Sequence, residues 1–314
     1  MKHQPALLVR LWQDERPPAV DYHGASGVAR LMVGRPPKTA PDLLASLFAI
    51  CPAAQRLAAH RAIAVARATP MDVVEEASLA RAARLEMVRE HGLHILLGWG
   101  GRMGDAPDRN AAATVNSIGR SGGMLEPVSE VLDRLIFAMP LGEWLHLDGE
   151  RGVSEWAQRG ESVAARYVAS ALQSRKVPVH PTGAPAGSLL ARHERHPLMR
   201  GAEGGSLAAF ALARLIDLAM QWRGLSGSDM AGAAGNEACT PCSRGTLTHR
   251  AWVEGEEIVH YEITSPTDLA FEAGGHGRQW LGELMALPAD DREDAARRIV
   301  QALDPCVEYR IEVR

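Results

Sequence analysis

Two cysteines stand singly near opposite ends of the chain. Cys51 lies in Ala49-Ile50-Cys51-Pro52-Ala53-Ala54, and Cys306 in Asp304-Pro305-Cys306-Val307-Glu308-Tyr309. A thiolate is a soft metal ligand and a nucleophile. The competing reading is that each is a small buried hydrophobe, as most free cysteines are. Pro52 suits the first turn of a helix and not its interior, so Cys51 is expected at a helix N-terminus. That position lowers a thiol pKa and favours thiolate. A further pair, Cys239-Thr240-Pro241-Cys242, stands immediately before Arg244. A Cys-x-x-Cys is a redox pair or half of a zinc site. No second pair is near, and no thioredoxin-like strand–helix context surrounds it. His91 and His94 lie one helical turn apart and can share a face, as a zinc pair or as a polar contact between helices. Arg244 reads either as a buried cation for an anionic group or as a surface arginine at a strand start.

The elements that position these residues are mostly helical. Val28–Val33 alternates as a short strand would, ended by Gly34 and Pro36-Pro37. A short helix is expected over Asp42–Phe48 and a fresh one from Pro52. Thr69 is the expected N-cap of a helix from Pro70 to about Leu97. Gly98–Gly123, rich in Gly, Asp and Asn, reads as a loop. Further helices are expected over Leu125–Ala138, Val153–Gln173 and Leu207–Trp222, the last being the most apolar. A loop surrounds His180-Pro181-Thr182-Gly183. Leu247–Trp252 and Ile258–Ile263 read as paired strands around Gly255. Helices over Gln279–Leu287 and Asp291–Leu303 lead to Asp304, where Pro305 turns the tail. The expected fold class is mainly α with a minor β component, in a single domain over residues 1–314.

Composition removes several function classes. The 314 residues include 46% hydrophobic and 23% charged residues, normal for a soluble globular protein. A net charge of −4 with no basic run argues against nucleic-acid binding. No apolar stretch reaches the roughly 20 residues needed to span a bilayer, and Arg10 interrupts the run after Met1-Lys2-His3-Gln4, so no signal peptide is read. Four cysteines do not make a disulfide scaffold, and a cytoplasmic location with reduced thiols is expected.

The motifs together resemble the large subunits of [NiFe] hydrogenases. In that family an N-terminal Cys-x-x-Cys and a C-terminal Asp-Pro-Cys-x-x-Cys-x-x-His supply four thiolates to a nickel–iron centre. Here the first cysteine of each pair remains as Cys51 and Cys306. Ala54, Tyr309 and Glu312 stand where the second cysteines and the histidine would be. Gly34-Arg35-Pro36-Pro37, His91-Gly92-Leu93-His94, Arg244-Gly245-Thr246-Leu247-Thr248-His249 and Ser265-Pro266-Thr267 follow in family order. Glu237-Ala238 looks like the start of the family's Glu-Ala-Pro-Arg-Gly, displaced by an insertion carrying Cys239 and Cys242. A truncated relative of this kind is similar to the accessory proteins called HupK or HoxV, which are implicated in cofactor assembly.

That resemblance implies a truncated, large-subunit-like helical domain that handles the cofactor without using it. Cys51 and Cys306 would be metal ligands, with Cys239 and Cys242 as extra thiolates or a redox gate. Arg244 and His94 would be cofactor-binding, Arg244 facing cyanide. The cargo would be iron as Fe(CN)2(CO), held transiently and without nickel. The partners would be the maturation proteins that build that unit and the large-subunit precursor. A thiol–disulfide oxidoreductase at Cys239 and Cys242, a residual metalloenzyme, and a metal-free decoy binding hydrogenase partners are the alternatives. Tyr309 and Glu312 would merely fill the vacated space. Because Ala54 and Tyr309 remove both bridging thiolates, the pure protein should show no hydrogen-dependent dye reduction even with nickel supplied; measurable turnover would refute the assignment.

Overall fold

The computed structural model describes residues 6–24, 26–119, 125–174, 176–226 and 239–314; Met1-Lys2-His3-Gln4, Gly123, Glu237 and Ala238 lie outside them. The Leu207–Ser226 helix is apolar on all sides, and eleven of its residues from Leu207 to Ala219 are buried apolar ones. A helix of that kind belongs inside the fold. It packs against the Val73–Leu93, Val163–Gln173, Leu189–His193 and Ala289–Leu303 helices. Its many alanines let these neighbours approach closely. Only two charged residues, Arg214 and Asp217, interrupt its buried run.

Two small sheets hold the ends of the site. In the first, β1 (Leu7–Leu11) lies between antiparallel β2 (Ala19–Tyr22) and parallel β6 (Tyr309–Val313), with Leu7 opposite Tyr309 and Leu11 opposite Val313. This ties the segment after Cys306 to the start of the chain. Tyr309 is 43% exposed there, and Glu312 pairs with Arg10 and Arg314. Neither fills a vacated ligand position, as the motif comparison had implied; the strand's pairing with β1 takes them instead. In the second sheet, β4 (Gly245–Glu254) lies between antiparallel β3 (Cys239–Cys242) and β5 (Glu257–Thr264). The Pro52–Ala66 helix covers β4. Gly255 turns the hairpin with φ +56°, a conformation glycine adopts without steric penalty.

The mainly α class with a minor β component is what the chain adopts. Four local expectations differ. Val28–Val33 is no strand: Ser26–Arg30 is helical, and the buried Ala29 and Met32 are three apart, which is helical spacing. The helix expected from Pro70 begins at Val73, capped by Asp72, whose carboxylate accepts from Val74 N and Glu75 N. It continues beyond Leu93 through a π-turn to Trp99. Within Gly98–Gly123, Asp108 caps a helix over Arg109–Asn116. The expected Val153–Gln173 helix is two, Gly149–Arg159 and Val163–Gln173, parted by Gly160 at φ +65° and restarted by a Ser162 cap. No helix among the described residues is long and apolar enough to cross a membrane. The cap assignment is checkable by chemical denaturation. Asp72→Ala should cost about 1 kcal/mol, whereas Thr69→Ala should stay within about 0.5 kcal/mol.

Candidate functional site

Both singly placed cysteines sit at helix ends that bend the same way. Cys51 is the N-cap of the Pro52–Ala66 helix, with φ 60°, and Pro52 opens the helix. Its thiol does not cap. Glu86 of the Val73–Leu93 helix does that instead, accepting Ala53 N at 2.7 Å and Ala54 N at 3.1 Å. The Cys51 sulfur is thereby free for other contacts. At the other end Asp304 closes the Ala289–Leu303 helix with φ 48°, and Pro305 prevents its continuation. Left-handed backbone at non-glycine residues costs free energy and collects at functional sites. Cys306 follows, held by Thr267: the Thr267 hydroxyl donates to Cys306 Sγ at 3.1 Å and accepts Cys306 N at 3.0 Å. Thr267 itself is fixed in the Pro266–Phe271 helix by a capping box between Ser265 and Asp268.

Arg244 joins these two ends. It leaves the β3–β4 turn with its side chain 8% exposed. Nη1 donates to Cys51 Sγ at 3.4 Å and to Ser243 Oγ at 2.8 Å. Nε donates to the Asp304 carbonyl at 2.8 Å, and Nη2 lies 3.3 Å from Asp304 Oδ2 and 3.7 Å from Glu90 Oε2. The adjacent Gly245 has no substitute. A Cβ there would stand 2.1 Å from the Gly187 carbonyl oxygen, and φ is +142°.

The Asp304 carboxylate also takes Arg214 Nη1 at 3.2 Å and His94 Nδ1 at 3.2 Å. Arg214 reaches on to His91 Nδ1 at 3.2 Å, and His91 Nε2 meets Asp217 Oδ2 at 2.8 Å. Asp217 in turn holds His193 and Arg192. Arg192 donates to the carbonyls of Cys242 at 3.1 Å and of Gly245, returning to the same turn. A continuous buried polar chain thus runs through the helices to the cysteines. His91 belongs to it, and His94 sits beside Asp304 with Nε2 buried and unpartnered among the described residues. The two histidines contact different carboxylates, which favours the polar contact over a zinc pair.

Protonation follows burial and charge. Burial would raise Asp304, yet Arg244, His94 and Arg214 hold it well below the usual carboxylate range. Burial opposes charge on Arg244, and Asp304, Cys51 and Glu90 outweigh it. Contact with Cys242 and burial push Cys51 up, against the pull of Arg244. The helix N-terminus therefore does not leave Cys51 as a ready thiolate, contrary to the sequence expectation: it is buried against a second thiol. In that pair Cys51 favours the anion on Cys242, whose pKa falls to about 7, helped by Arg192 and Arg244. Burial raises Cys306, opposed by Thr267. A metal taken by these thiols would displace protons.

The Cys-x-x-Cys is split. Successive residues of a strand face opposite sides, so positions 239 and 242 diverge. Cys242 packs with Cys51, Ala54, Ala58 and Leu247. Cys239 Sγ instead contacts Thr248 Oγ1 at 3.5 Å. Three extended residues separate Cα atoms by about 10 Å, beyond the roughly 7 Å limit for a disulfide. The site therefore gathers Cys51, Cys242, Arg244 and His94, with Cys306 in electrostatic reach of Arg244 and Cys242, and leaves Cys239 outside. Among the described residues no group of three or more His, Cys, Asp or Glu is arranged to hold a metal ion. Arg214, Asp217, Glu86 and Thr267 carry roles that the motifs do not assign. Arg214 and Asp217 were nevertheless signalled, as charges inside an apolar helix.

No family model matches the chain. The fold is that of hydrogenase large subunits. The structure of an NAD+-reducing [NiFe] hydrogenase aligns with a TM-score of 0.54 and 14% identity over 93% of this chain and 92% of that one. A [NiFeSe] hydrogenase variant from Desulfovibrio vulgaris Hildenborough gives 0.54 and 12% over 92% of each. The sequence is similar to proteins named hydrogenase expression/formation protein. HupK of Bradyrhizobium diazoefficiens is 24% identical over 94% of this chain and 92% of its own length. HoxV of Cupriavidus necator is 27% identical over 90% and 89%. HupK of Rhodobacter capsulatus is 28% identical over 91% and 89%. The chain is a hydrogenase large-subunit-like protein whose relatives are HupK and HoxV.

The buried imidazoles make stability pH-dependent. Burial lowers His91 to about 4 and His249 to about 3. Unfolded histidines bind protons near pH 6.5, so the unfolded state takes up more protons as pH falls. Unfolding free energy should therefore drop below about pH 6.5, by up to about 1.4 kcal/mol per pH unit for each histidine, until pH approaches the folded values. Denaturation midpoints between pH 7.5 and 5 test this, and His249→Gln should reduce the slope. A flat profile would contradict neutral burial.

Proposed function

We propose that the protein is an assembly scaffold in [NiFe]-hydrogenase maturation. It holds iron as Fe(CN)2(CO) for transfer to the large-subunit precursor, without catalysing a reaction itself. The observation that carries this reading is Arg244: one guanidinium contacts Cys51 and the Asp304 that precedes Cys306. The two half-motifs thus meet on a cation, with a donor for each thiol side. Anionic cyanides buried in protein need such a cation and its hydrogen bonds. Two soft thiolates can anchor a low-spin iron whose other positions are filled by diatomic ligands. They cannot build a four-sulfur nickel site, because Ala54 is buried at one missing position and Tyr309 is in a strand at the other.

Weak retention suits a carrier. The thiols of Cys51 and Cys306 are held protonated, so loading must release protons and unloading is eased by their return. The names of the relatives support a role in hydrogenase formation. The partners in this reading are the proteins that build the iron unit and the large-subunit precursor. The setting is the cytoplasm, where thiols stay reduced. The separation of Cys239 from Cys242 gives the oxidoreductase alternative no support.

The test is infrared spectroscopy of protein isolated from a hydrogenase-producing host. Cyanide and carbonyl bands should accompany substoichiometric iron and little nickel. Cys51→Ser or Cys306→Ser should erase the bands while leaving the far-ultraviolet circular dichroism unchanged. Bands that survive in the double variant would place the cargo elsewhere and overturn this ligand pair.

A further inference from the structure

The strand β6 leaves one edge of its sheet open. The strand order is β2-β1-β6, so β6 pairs with β1 on one side and with no strand among the described residues on the other. Which backbone groups face that edge follows from the bonds to β1. Leu7 N donates to the Glu308 carbonyl at 3.1 Å, and Arg314 N donates to the Leu11 carbonyl at 2.9 Å. Backbone groups alternate sides along a strand. Even-numbered positions therefore bond to β1, and Tyr309, Ile311 and Val313 present N–H and C=O outward. An open edge of this kind is a template for another strand. Its side chains include the exposed apolar residues Tyr309 and Val313. Arg310 and Glu312 stand on the other face of the strand. Arg310 is exposed and has no ion pair among the described residues. Glu312 meets Arg10 and Arg314, both through Oε2, which leaves Oε1 available.

We propose that this edge is a dimer interface, on which β6 of a second copy of the chain docks antiparallel, centred on Ile311. The stretch Glu308-Tyr309-Arg310-Ile311-Glu312-Val313-Arg314 is self-complementary about that residue. Antiparallel pairing sets Ile311 opposite itself, Tyr309 opposite Val313 and Arg310 opposite Glu312, with Glu308 opposite Arg314 beyond. The outward groups of Tyr309, Ile311 and Val313 then meet their counterparts as hydrogen-bonded pairs. Arg310 and Glu312 fall at the non-hydrogen-bonded positions, where side chains approach more closely. Each Arg310 there finds the Glu312 Oε1 that the other copy leaves unused. Opposite charges, and an aromatic residue against a β-branched one, are both favourable cross-strand pairs. Other registers are disfavoured. A slip of two residues one way sets Arg310 opposite itself and Glu308 opposite Glu312. A slip of two the other way sets Glu312 opposite itself and Arg310 opposite Arg314. A slip of one turns outward groups toward groups already bonded to β1. Charge also runs on across the joined sheet. Asp21, Arg10 and Glu312 alternate in sign from β2 to β6, and Arg310 of the second copy continues the series. The interface does not depend on the cargo reading.

Sedimentation velocity of the full chain over a range of concentrations tests it. The protein should pass from monomer to dimer as concentration rises. Arg310→Glu sets carboxylate against carboxylate and should raise the dimer dissociation constant roughly ten-fold. Arg310 has no ion pair within its own chain, so circular dichroism and the thermal midpoint should not move. Val313→Pro removes an N–H that faces away from β1, a change that an edge strand tolerates, and should also weaken the dimer. Cross-linking reads the register. In Ile311→Cys the two introduced thiols face each other with Cα atoms about 5.5 Å apart, within disulfide reach. A low-molecular-weight disulfide should therefore yield a covalent dimer: the thiols lose two protons and two electrons to form the bond, and the reagent is reduced to two thiols. Arg310→Cys faces Glu312 and should not cross-link above the wild-type background. A protein monomeric at every concentration would overturn the second copy as occupant, whatever other extended segment the edge accepts. A dimer equally strong in Arg310→Glu and Val313→Pro would overturn β6 as its interface. A dimer weakened by both variants but cross-linked through Arg310→Cys and not Ile311→Cys would overturn the register.

Discussion

The site depends on one buried carboxylate, Asp304, on which two arginines and a histidine converge. Asp304 takes Arg214, Arg244 and His94 on its side chain and Arg244 again on its carbonyl. An ionised carboxylate alone in this position would be expensive, and so would either arginine. Together they are tolerable, and removing the carboxylate would take from Arg214 the ion pair that offsets its burial. That mutual need fixes the Ala289–Leu303 helix, the Leu207–Ser226 helix and the β3–β4 turn relative to one another. It also places Cys306, two residues after Asp304, beside the Arg244 that touches Cys51.

Asp217 plays the corresponding part deeper in the fold. It gathers His91, His193 and Arg192, and Arg192 grips the carbonyls of the turn that carries Arg244. Arg214 spans the two carboxylates through His91. A local change at either thiol is therefore coupled to helix positions by hydrogen bonds rather than by loose packing. In the scaffold reading proposed above, this frame surrounds Cys51 and Cys306, whose thiol pKa values burial pushes up, so a metal would have to displace their protons. A stiff frame around a weak attachment is the combination that reversible holding requires.

Much of this was legible in the residues. Pro52 announced the helix that begins at Cys51, Pro305 announced the end of the last helix, and Leu207–Trp222 announced the buried centre. The hairpin around Gly255 was equally plain. What escaped was non-local or depended on strand geometry. Nothing near Tyr309 signals that it will pair in parallel with Leu7. Cys239 and Cys242 look like a local pair, yet the period of two in a strand sends them apart, and Cys242 finds Cys51 across the fold. The thiol pKa of Cys51 was misjudged because the helix N-terminus was weighed without its buried neighbour. The cap expected at Thr69 falls instead at Asp72, whose carboxylate accepts from Val74 N and Glu75 N. Arg214 and Asp217 were visible as charges in an apolar run, but their partners came from three other helices.

Iron X-ray absorption on cargo-loaded protein bears most directly on the central claim, that Cys51 and Cys306 together anchor an iron already carrying its diatomic ligands. The account predicts two sulfur neighbours at about 2.3 Å, the usual metal–thiolate length, together with a shell of collinear diatomic ligands, and one sulfur fewer in Cys306→Ser. A first shell of oxygen and nitrogen alone, or an unchanged sulfur count in that variant, would contradict it.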